Sequence, residues 1–208
     1  MDLGLKGKTA IVTGGSLGIG KAIALELARE GVSVGIVARS KDRLEAAAKE
    51  LSAASGGKVI ALPCDVTNKA QVEAAVAQAV SQLGGVDILV NSGSSPGGSA
   101  SAIGPIETVN DDDLLMDFNT KYLGAVRFAR AVLSHMKAKN WGRIINISGT
   151  NARNAGNLSG GARNASMVHM TKTLAVQNGR FGITVNCVHP GTTRTERTAV
   201  ILAKQAAE

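Results

Sequence analysis

The sequence predicts an α/β fold built on a doubly wound parallel sheet, and three observations carry this prediction. Short apolar runs alternate with amphipathic helical segments along the chain. The apolar runs are continuous, which indicates strands that are buried on both faces beneath helices. Glycine is abundant, at 25 of 208 residues, as expected where strands turn tightly into helices. Because no linker composition divides the chain, we predict a single Rossmann-like domain over residues 1–208.

The predicted elements follow one another in regular order. Strands are expected at residues 8–13, 32–38, 58–63, 86–91, 143–148 and 183–188. Helices are expected between them, over residues 18–31, 41–55, 68–83, about 111–139 and about 162–179. A glycine- and serine-rich stretch over residues 92–104 predicts a long loop after the fourth strand. The aspartate run at 111–113 favours the start of the long helix, where carboxylates meet the positive end of the helix dipole.

Composition limits the classes of partner and the compartment. Aromatic residues make up only 2% of the chain and the basic residues behind the net charge of +7 are scattered, so a nucleic-acid partner is not expected. The chain has no apolar run long enough for a membrane span and no signal-peptide core at its start. Cys64 and Cys187 are too few for a disulfide framework and lack metal-site spacing, so we expect a cytoplasmic protein without a bound metal.

A glycine-rich loop at residues 13–20, Thr-Gly-Gly-Ser-Leu-Gly-Ile-Gly, joins the first strand to the first helix. Gly14 permits a sharp turn, Gly18 lets the backbone approach a phosphate, and Gly20 lets helix and strand pack closely. The helix N-terminus adds free N–H groups and a partial positive charge. Strand, loop and helix stand in the order that a dinucleotide site requires, so this loop is predicted to bind a pyrophosphate. The other loop residues expected to contact it are Ser16, Leu17 and Ile19.

The loop spacing resembles that of the short-chain dehydrogenase/reductase family, and segments along essentially the whole chain resemble the family too. Asp65 and Val66 follow the third strand, where the family contacts the adenine ring. Residues 91–94 and 186–191 resemble the family's turns after the fourth and sixth strands. The resemblance implies a nicotinamide cofactor, a small carbonyl or alcohol substrate, and a homodimer or homotetramer. It also implies cofactor contacts from Asn91, Ser92, Gly93, Pro190, Gly191, Thr193 and Thr195.

Cofactor preference is expected to be set at the end of the second strand. Ala38 stands where an acidic residue would accept the ribose hydroxyls of NAD(H), and Arg39 follows it. A guanidinium suits a 2′-phosphate, so we favour NADP(H), with NAD(H) as the alternative. The signal is half complete, because the second basic residue common in the family is replaced by Leu17. A solvent-exposed loop cation is the other interpretation of Arg39.

The catalytic positions implied by the resemblance are largely substituted. The family uses a tyrosine and a lysine at the start of the helix before the sixth strand, and here Gly160 and Asn164 stand at these positions. Neither side chain can supply the proton chemistry. The serine position falls on Gly149, although a local shift of the shortened loop would restore Ser148. Asn119 matches the asparagine of the family's long helix, so Asn119 and Ser148 are the predicted catalytic residues.

Other side chains could replace the missing acid. Tyr122 is the only tyrosine, and we expect it to pack between helices. Arg153 and Arg163 cannot donate a proton because the pKa of a guanidinium is too high, and both are expected at the surface. His189, beside the turn after the sixth strand, is better placed than His169, which is expected in the core or at an interface.

Two functions therefore remain open. One is an oxidoreductase of this family with an atypical active site, and the other is an inactive dinucleotide-binding sensor, scaffold or partner subunit. Residues from about 192 are expected to begin a substrate lid, with a helix over 198–208. Because family members usually reach roughly 250 residues, we also expect the C-terminal part of the domain to be missing. The alternative is a natural truncation sealed by a partner chain.

Overall fold

The parallel sheet is the frame of the molecule. A computed structural model of the chain describes residues 1–94, 98–196 and 198. The strands are β1 (Thr9–Thr13), β2 (Ser33–Ala38), β3 (Val59–Pro63), β4 (Ile88–Asn91), β5 (Gly142–Ile147) and β6 (Ile183–Val188). Neighbouring strands are parallel and run in the order β3-β2-β1-β4-β5-β6. The prediction of a single Rossmann-like α/β domain is confirmed. β2 and β3 lie on one side of β1, and the chain then crosses to the other side, where β4, β5 and β6 follow. This change of side between β1 and β4 opens a crevice at their carboxyl ends.

Within the described ranges, six α-helices cover the sheet, close to their predicted positions. They are α1 (Gly18–Arg29), α2 (Lys41–Ser55), α3 (Lys69–Leu83), α4 (Asp111–Phe118), α5 (Gly124–Ala138) and α6 (Leu158–Asn178). The long helix predicted over residues 111–139 is interrupted by a π-helical turn, Asn119–Leu123, between α4 and α5. Such a turn holds an additional residue, so it changes which side chains of the helix face inward. The predicted helical period therefore does not carry across this segment.

The core has one layer on each face of the sheet. In β1, Ile11 packs toward α3 and α5, whereas Ala10 and Val12 pack toward α1 and α2. All three side chains are fully buried. Burial on both faces explains why the strands are continuous apolar runs.

The two cysteines do not cross-link the fold. Cys64 is buried, Cys187 is partly buried, and both are free thiols. Across the described residues, we find no cluster of three or more histidine, cysteine or acidic side chains that could hold a metal. None of the helices within that same part of the chain is both long and apolar enough to cross a bilayer.

Candidate functional site

The glycine-rich loop is wedged between the carboxyl ends of β2 and β4. Gly14 has a φ of +68°, a left-handed conformation that favours glycine. Its N–H donates to the carbonyl of Val37 at 2.8 Å. A Cβ atom on Gly14 would lie 2.8 Å from the carbonyl oxygen of Ser92, so this position has no room for a side chain. The loop is thereby held directly over the crevice between β1 and β4.

The N-terminus of α1 faces out of this loop and already binds an anion. Leu17 stands at the N-cap position of the helix but offers no side-chain oxygen to the helix N–H groups, and it is 37% exposed. The N–H of Gly18 donates to a carboxylate oxygen of Glu196 at 3.0 Å. A Cβ atom on Gly20 would collide with the carbonyl oxygen of Gly14, so helix and loop can meet only at glycine. The geometry is that of a phosphate-binding helix end.

Thr13 ties this loop to the residues that follow β4. Its hydroxyl oxygen accepts hydrogen bonds from the N–H groups of Ser92 at 3.0 Å and Gly93 at 2.9 Å. The predicted cofactor residues of two separate strand ends are therefore brought together. The backbone of Ser92 and Gly93 lies directly against Gly14, because a Cβ atom on Gly14 would lie 2.8 Å from the Ser92 carbonyl oxygen and 3.1 Å from Gly93 Cα.

The Asn91 side chain points into the interior. Its amide donates to Asn146 Oδ1 at 2.9 Å, and the amide of Asn146 donates to Thr171 Oγ1 at 2.9 Å. This chain of hydrogen bonds crosses from β4 through β5 to α6. The Oδ1 atom of Asn91 is buried and has no hydrogen-bond partner among the residues described. Such an atom is commonly satisfied by an ordered water or ligand.

Asp65 and Arg39 lie at the other side of the loop, where β3 and β2 end. Asp65 accepts hydrogen bonds from the N–H and the hydroxyl of Thr67, at 2.9 and 2.7 Å. Burial would raise the pKa of Asp65, but these hydrogen bonds and the charges of Arg39 and Arg127 outweigh it and lower the pKa. Arg39 itself is exposed. An ionised carboxylate and a free guanidinium thus flank this end of the crevice.

The segment after β6 lies against α1. The Thr195 methyl carbon would lie 3.5 Å from a Cβ atom on Gly18, and the Thr193 hydroxyl donates to the Gly191 carbonyl at 3.0 Å. Pro190 is half-buried at the start of this segment. Residues predicted from opposite ends of the sequence therefore meet at the phosphate loop. Of the predicted lid helix over 198–208, all but Thr198 lies outside the described residues.

A buried amine occupies the region where the sequence predicted proton chemistry. Lys121 Nζ donates to Asn164 Oδ1 at 2.6 Å and to the carbonyl of Ser148 at 3.0 Å. Lys121 is only 9% exposed. Its burial lowers its pKa to about 8, and the positive charge of Arg163 acts in the same direction. Sequence reasoning missed Lys121, and the signal that could have found it is a lysine two residues after the predicted catalytic asparagine.

The two predicted catalytic residues are both engaged within the protein. Asn119 Oδ1 accepts from an Arg127 Nη atom at 2.8 Å, and Arg127 also donates to the carbonyl of Val66 at 3.2 Å. The Ser148 hydroxyl is buried and donates to the carbonyl of Asn164 at 3.0 Å. Of the two, the structure brings only Ser148 into contact with Lys121.

Asparagine amides fill the space beside Gly149 and Gly160. A Cβ atom on Gly149 would lie 2.6 Å from Asn164 Nδ2. A Cβ atom on Gly160 would lie 2.8 Å from Asn157 Oδ1 and 2.9 Å from Asn151 Nδ2. Asn157 is itself fixed, because it caps α6 by accepting from the Gly160 N–H at 2.6 Å. A larger side chain at either glycine would displace these amides.

The expected surface position of Arg163 is wrong. Arg163 is 5% exposed and pairs with the fully buried Asp117 across 3.7 Å, so its charge is compensated inside the fold. Asp117 also accepts from Ser159 Oγ at 2.6 Å and from the N–H and hydroxyl of Ser99 at 2.9 and 3.0 Å. Burial would raise the pKa of Asp117, but these hydrogen bonds and the Arg163 charge lower it.

The remaining candidates for a proton donor differ in their exposure and in their distance from the site. Tyr122 stacks at 4.8 Å from Phe118 and packs against the core, which confirms the expected packing role. Arg153 is exposed as expected, and His169 is exposed on α6 rather than buried in the core. His189 lies beside the site, where Nδ1 hydrogen-bonds the Gly149 carbonyl at 3.0 Å.

The chain belongs to the short-chain dehydrogenase family, whose model matches residues 8–206. A curated relative, the hydroxy(phenyl)methylsuccinyl-CoA dehydrogenase subunit BbsD of Thauera aromatica, is 34% identical over 194 residues, covering 93% of this chain and 76% of the relative. The structure of L-sorbose reductase from Gluconobacter frateurii with NADPH and L-sorbose superposes with a TM-score of 0.90 at 35% identity, covering 98% of this chain and 78% of that one. An NAD⁺-bound xylitol dehydrogenase superposes with a TM-score of 0.83 at 28% identity, covering 90% and 71%.

Proposed function

We propose that this protein is an NADP(H)-preferring oxidoreductase that interconverts a small carbonyl compound and its alcohol with an atypical set of active-site residues. The observation that carries cofactor binding is the glycine loop, with an uncapped α1 N-terminus whose first N–H already holds a carboxylate. The residues present fit a dinucleotide, since positive φ at Gly14 and the collision at Gly20 leave a backbone cradle. A bound nicotinamide would supply the hydride chemistry.

The preference for NADP(H) rests on Arg39. It is exposed at the end of β2, and its positive charge acts on Asp65 at the end of β3. A free guanidinium at this point favours a 2′-phosphate over a ribose hydroxyl. The two structural relatives were solved with different dinucleotides, so the fold alone does not choose between them.

Dinucleotide titration of the purified chain tests this preference. We expect NADPH to bind at least about tenfold more tightly than NADH, since a charge-assisted phosphate contact contributes about 1.5–3 kcal/mol. Arg39→Ala should abolish most of that difference. Arg43→Ala, which removes another exposed arginine from the first turn of α2, is the matched control and should leave it intact. Equal binding of both dinucleotides by the unchanged chain would contradict the preference.

Turnover is tested separately, with NADPH and a panel of aldehydes and ketones. The second candidate function, cofactor binding without turnover, is favoured by one observation: amides fill the space beside Gly149 and Gly160. Tight NADPH binding with no oxidation by any panel member would establish this second function. Measurable NADPH oxidation would establish the first.

The paired substitution Gly160→Tyr with Asn164→Lys tests whether the site can accept the family's residues. The amides of Asn151 and Asn157 would have to move to admit a tyrosine ring. A gain of activity would show that the pocket is otherwise competent.

A further inference from the structure

Lys121 is a buried cation for which the described part of the chain supplies no matching anion. It lies in the π-helical turn between α4 and α5, beneath the carboxyl end of β5. Both of its acceptors, the Asn164 amide oxygen and the Ser148 carbonyl, are neutral. Among the described residues, no carboxylate forms an ion pair with it. Burial of an ammonium group without an anionic partner is costly, and groups of this kind cluster at functional sites.

The charged and titratable groups around Lys121 do not relieve this cost. From α6, Arg163 adds a second positive charge, which Asp117 of α4 compensates. From β6, the Cys187 thiol raises the pKa of Lys121, but by less than burial and Arg163 lower it. His189, after β6, is bonded to the backbone of Gly149 rather than to the amine. Lys121 therefore loses its proton more readily than an exposed lysine, because burial and the charge of Arg163, the two larger effects on its pKa, both favour the neutral form.

The amine lies at the edge of the sheet where a substrate oxygen would bind. Ser148 directly follows β5, next to the end of β4 and the residues that Thr13 holds against the phosphate loop. Ligands of open α/β sheets bind at this carboxyl edge. Two of the three N–H groups of Lys121 are used by its acceptors in the described structure, which leaves one N–H for a ligand.

We propose that Lys121 is the proton donor for carbonyl reduction, with Asn164 and the Ser148 carbonyl holding its amine in place. This assignment rests on the proposed oxidoreductase function. A bound reduced nicotinamide would supply a hydride to the substrate's carbonyl carbon and would thereby be oxidised, and Lys121 Nζ gives the carbonyl oxygen its proton. The C=O double bond becomes a C–O single bond, and the ammonium becomes a neutral amine. Solvent then returns the proton to Lys121. In the alcohol-oxidising direction, the neutral amine accepts that proton.

The assignment is chemically reasonable because the pKa of Lys121, about 8, lies close to neutral pH. A general acid works best when its pKa is near the operating pH. The ammonium form that donates the proton predominates below that pKa. Reduction should therefore be independent of pH below about 8 and fall about tenfold for each further pH unit. Oxidation should show the opposite dependence.

Lys121→Met and Lys121→Arg test the assignment, with Lys172→Met as the matched control on the exposed face of α6. Loss of a general acid lowers kcat about 10²–10⁴-fold. We expect that loss in both Lys121 variants, with NADPH affinity within about twofold of the parent. The pH-dependent limb, which is the fall in the rate of reduction above about pH 8, should also be absent from the residual activity of both variants. Retention of kcat within about threefold, or of the limb, by Lys121→Met would overturn the assignment.

A second readout does not depend on turnover. In cofactor-free protein carrying lysine labelled with ¹³C at Cε, the resonance missing from Lys121→Met belongs to Lys121. Its titration midpoint should lie at about 8 and should rise in Asn164→Asp, where a carboxylate replaces the amide at 2.6 Å. A midpoint of about 10 or above, the ordinary range for lysine, would overturn the assignment.

The outcomes separate this assignment from the proposed function. Turnover that does not depend on Lys121 overturns the assignment and leaves the oxidoreductase function standing. NADPH binding without turnover of any carbonyl compound overturns both, and leaves only cofactor binding.

Discussion

Lys121→Met should change how the stability of the protein depends on pH. The pKa of Lys121 is about 8 in the folded chain, against an ordinary value of 10.5. Between these two values the unfolded chain binds a proton that the folded chain has lost, so the free energy of unfolding rises with pH. The stabilisation is complete above the unfolded pKa and is lost as the pH falls through about 8. A methionine has no such titration.

The magnitude follows from the two pKa values. Each unit of difference corresponds to about 1.4 kcal/mol. Between about pH 7 and pH 10, the parent should gain about 2.5 kcal/mol of stability relative to Lys121→Met. For a domain of this size, that gain corresponds to roughly 5–10 °C in the difference between their Tm values. Most of the gain should come above about pH 8, because both states of the parent are protonated at lower pH.

Urea unfolding followed by circular dichroism measures this difference. Both chains should carry Cys187→Ala, because Cys187 interacts electrostatically with the same amine. Other groups cancel when the free energies of the two chains are subtracted. Lys172→Met, at an exposed lysine, should follow the parent at every pH. If the curves of the parent and Lys121→Met stay parallel within about 0.5 kcal/mol up to about pH 10, the reasoning about burial is refuted.

Two further predictions concern the phosphate loop and the buried ion pair. Gly20→Ala should weaken NADPH binding at least about tenfold in a fluorescence titration, because its Cβ atom collides with the loop backbone, whereas Gly179→Ala has open space and should bind normally. Unchanged affinity in Gly20→Ala would argue against this loop as the phosphate site. Asp117→Ala should lower the free energy of unfolding by about 3 kcal/mol or more, because it removes the fully buried carboxylate that pairs with Arg163 and accepts hydrogen bonds from Ser99 and Ser159. In urea unfolding, Asp112→Ala at the exposed start of α4 should cost about 1 kcal/mol or less, and a similar small loss for Asp117→Ala would contradict the role of the pair.

Local patterns predicted most of the architecture. Strands buried on both faces must be apolar throughout, so β1 and β4 are visible in the sequence as continuous runs. The glycines of the phosphate loop are visible because each answers a local steric demand, a positive φ at Gly14 and a close backbone approach at Gly20. The strand order then follows from the alternation of strands and helices, which admits few topologies.

The candidate active site was harder to predict, because its contacts join distant segments. Asn119 was predicted because it matches the asparagine in the family's long helix, yet a π-helical turn begins at this residue and its amide is bonded to Arg127. The side chain that reaches Ser148 and Asn164 is that of Lys121. A change in helical period cannot be read from apolar spacing, since the turn is stabilised by packing against other elements.

The sequence alone determined the sheet, the helices that cover it and the loop suited to a phosphate, because these depend on periodicity and on the conformational range of glycine. Only the tertiary structure decided which charges are buried. Arg163 is inside the fold because Asp117 comes from a facing helix, and Lys121 is inside because two neutral oxygens from β5 and α6 receive its amine. Burial of a charge depends on partners far away in the chain, and those partners exist only once the helices have packed on the sheet.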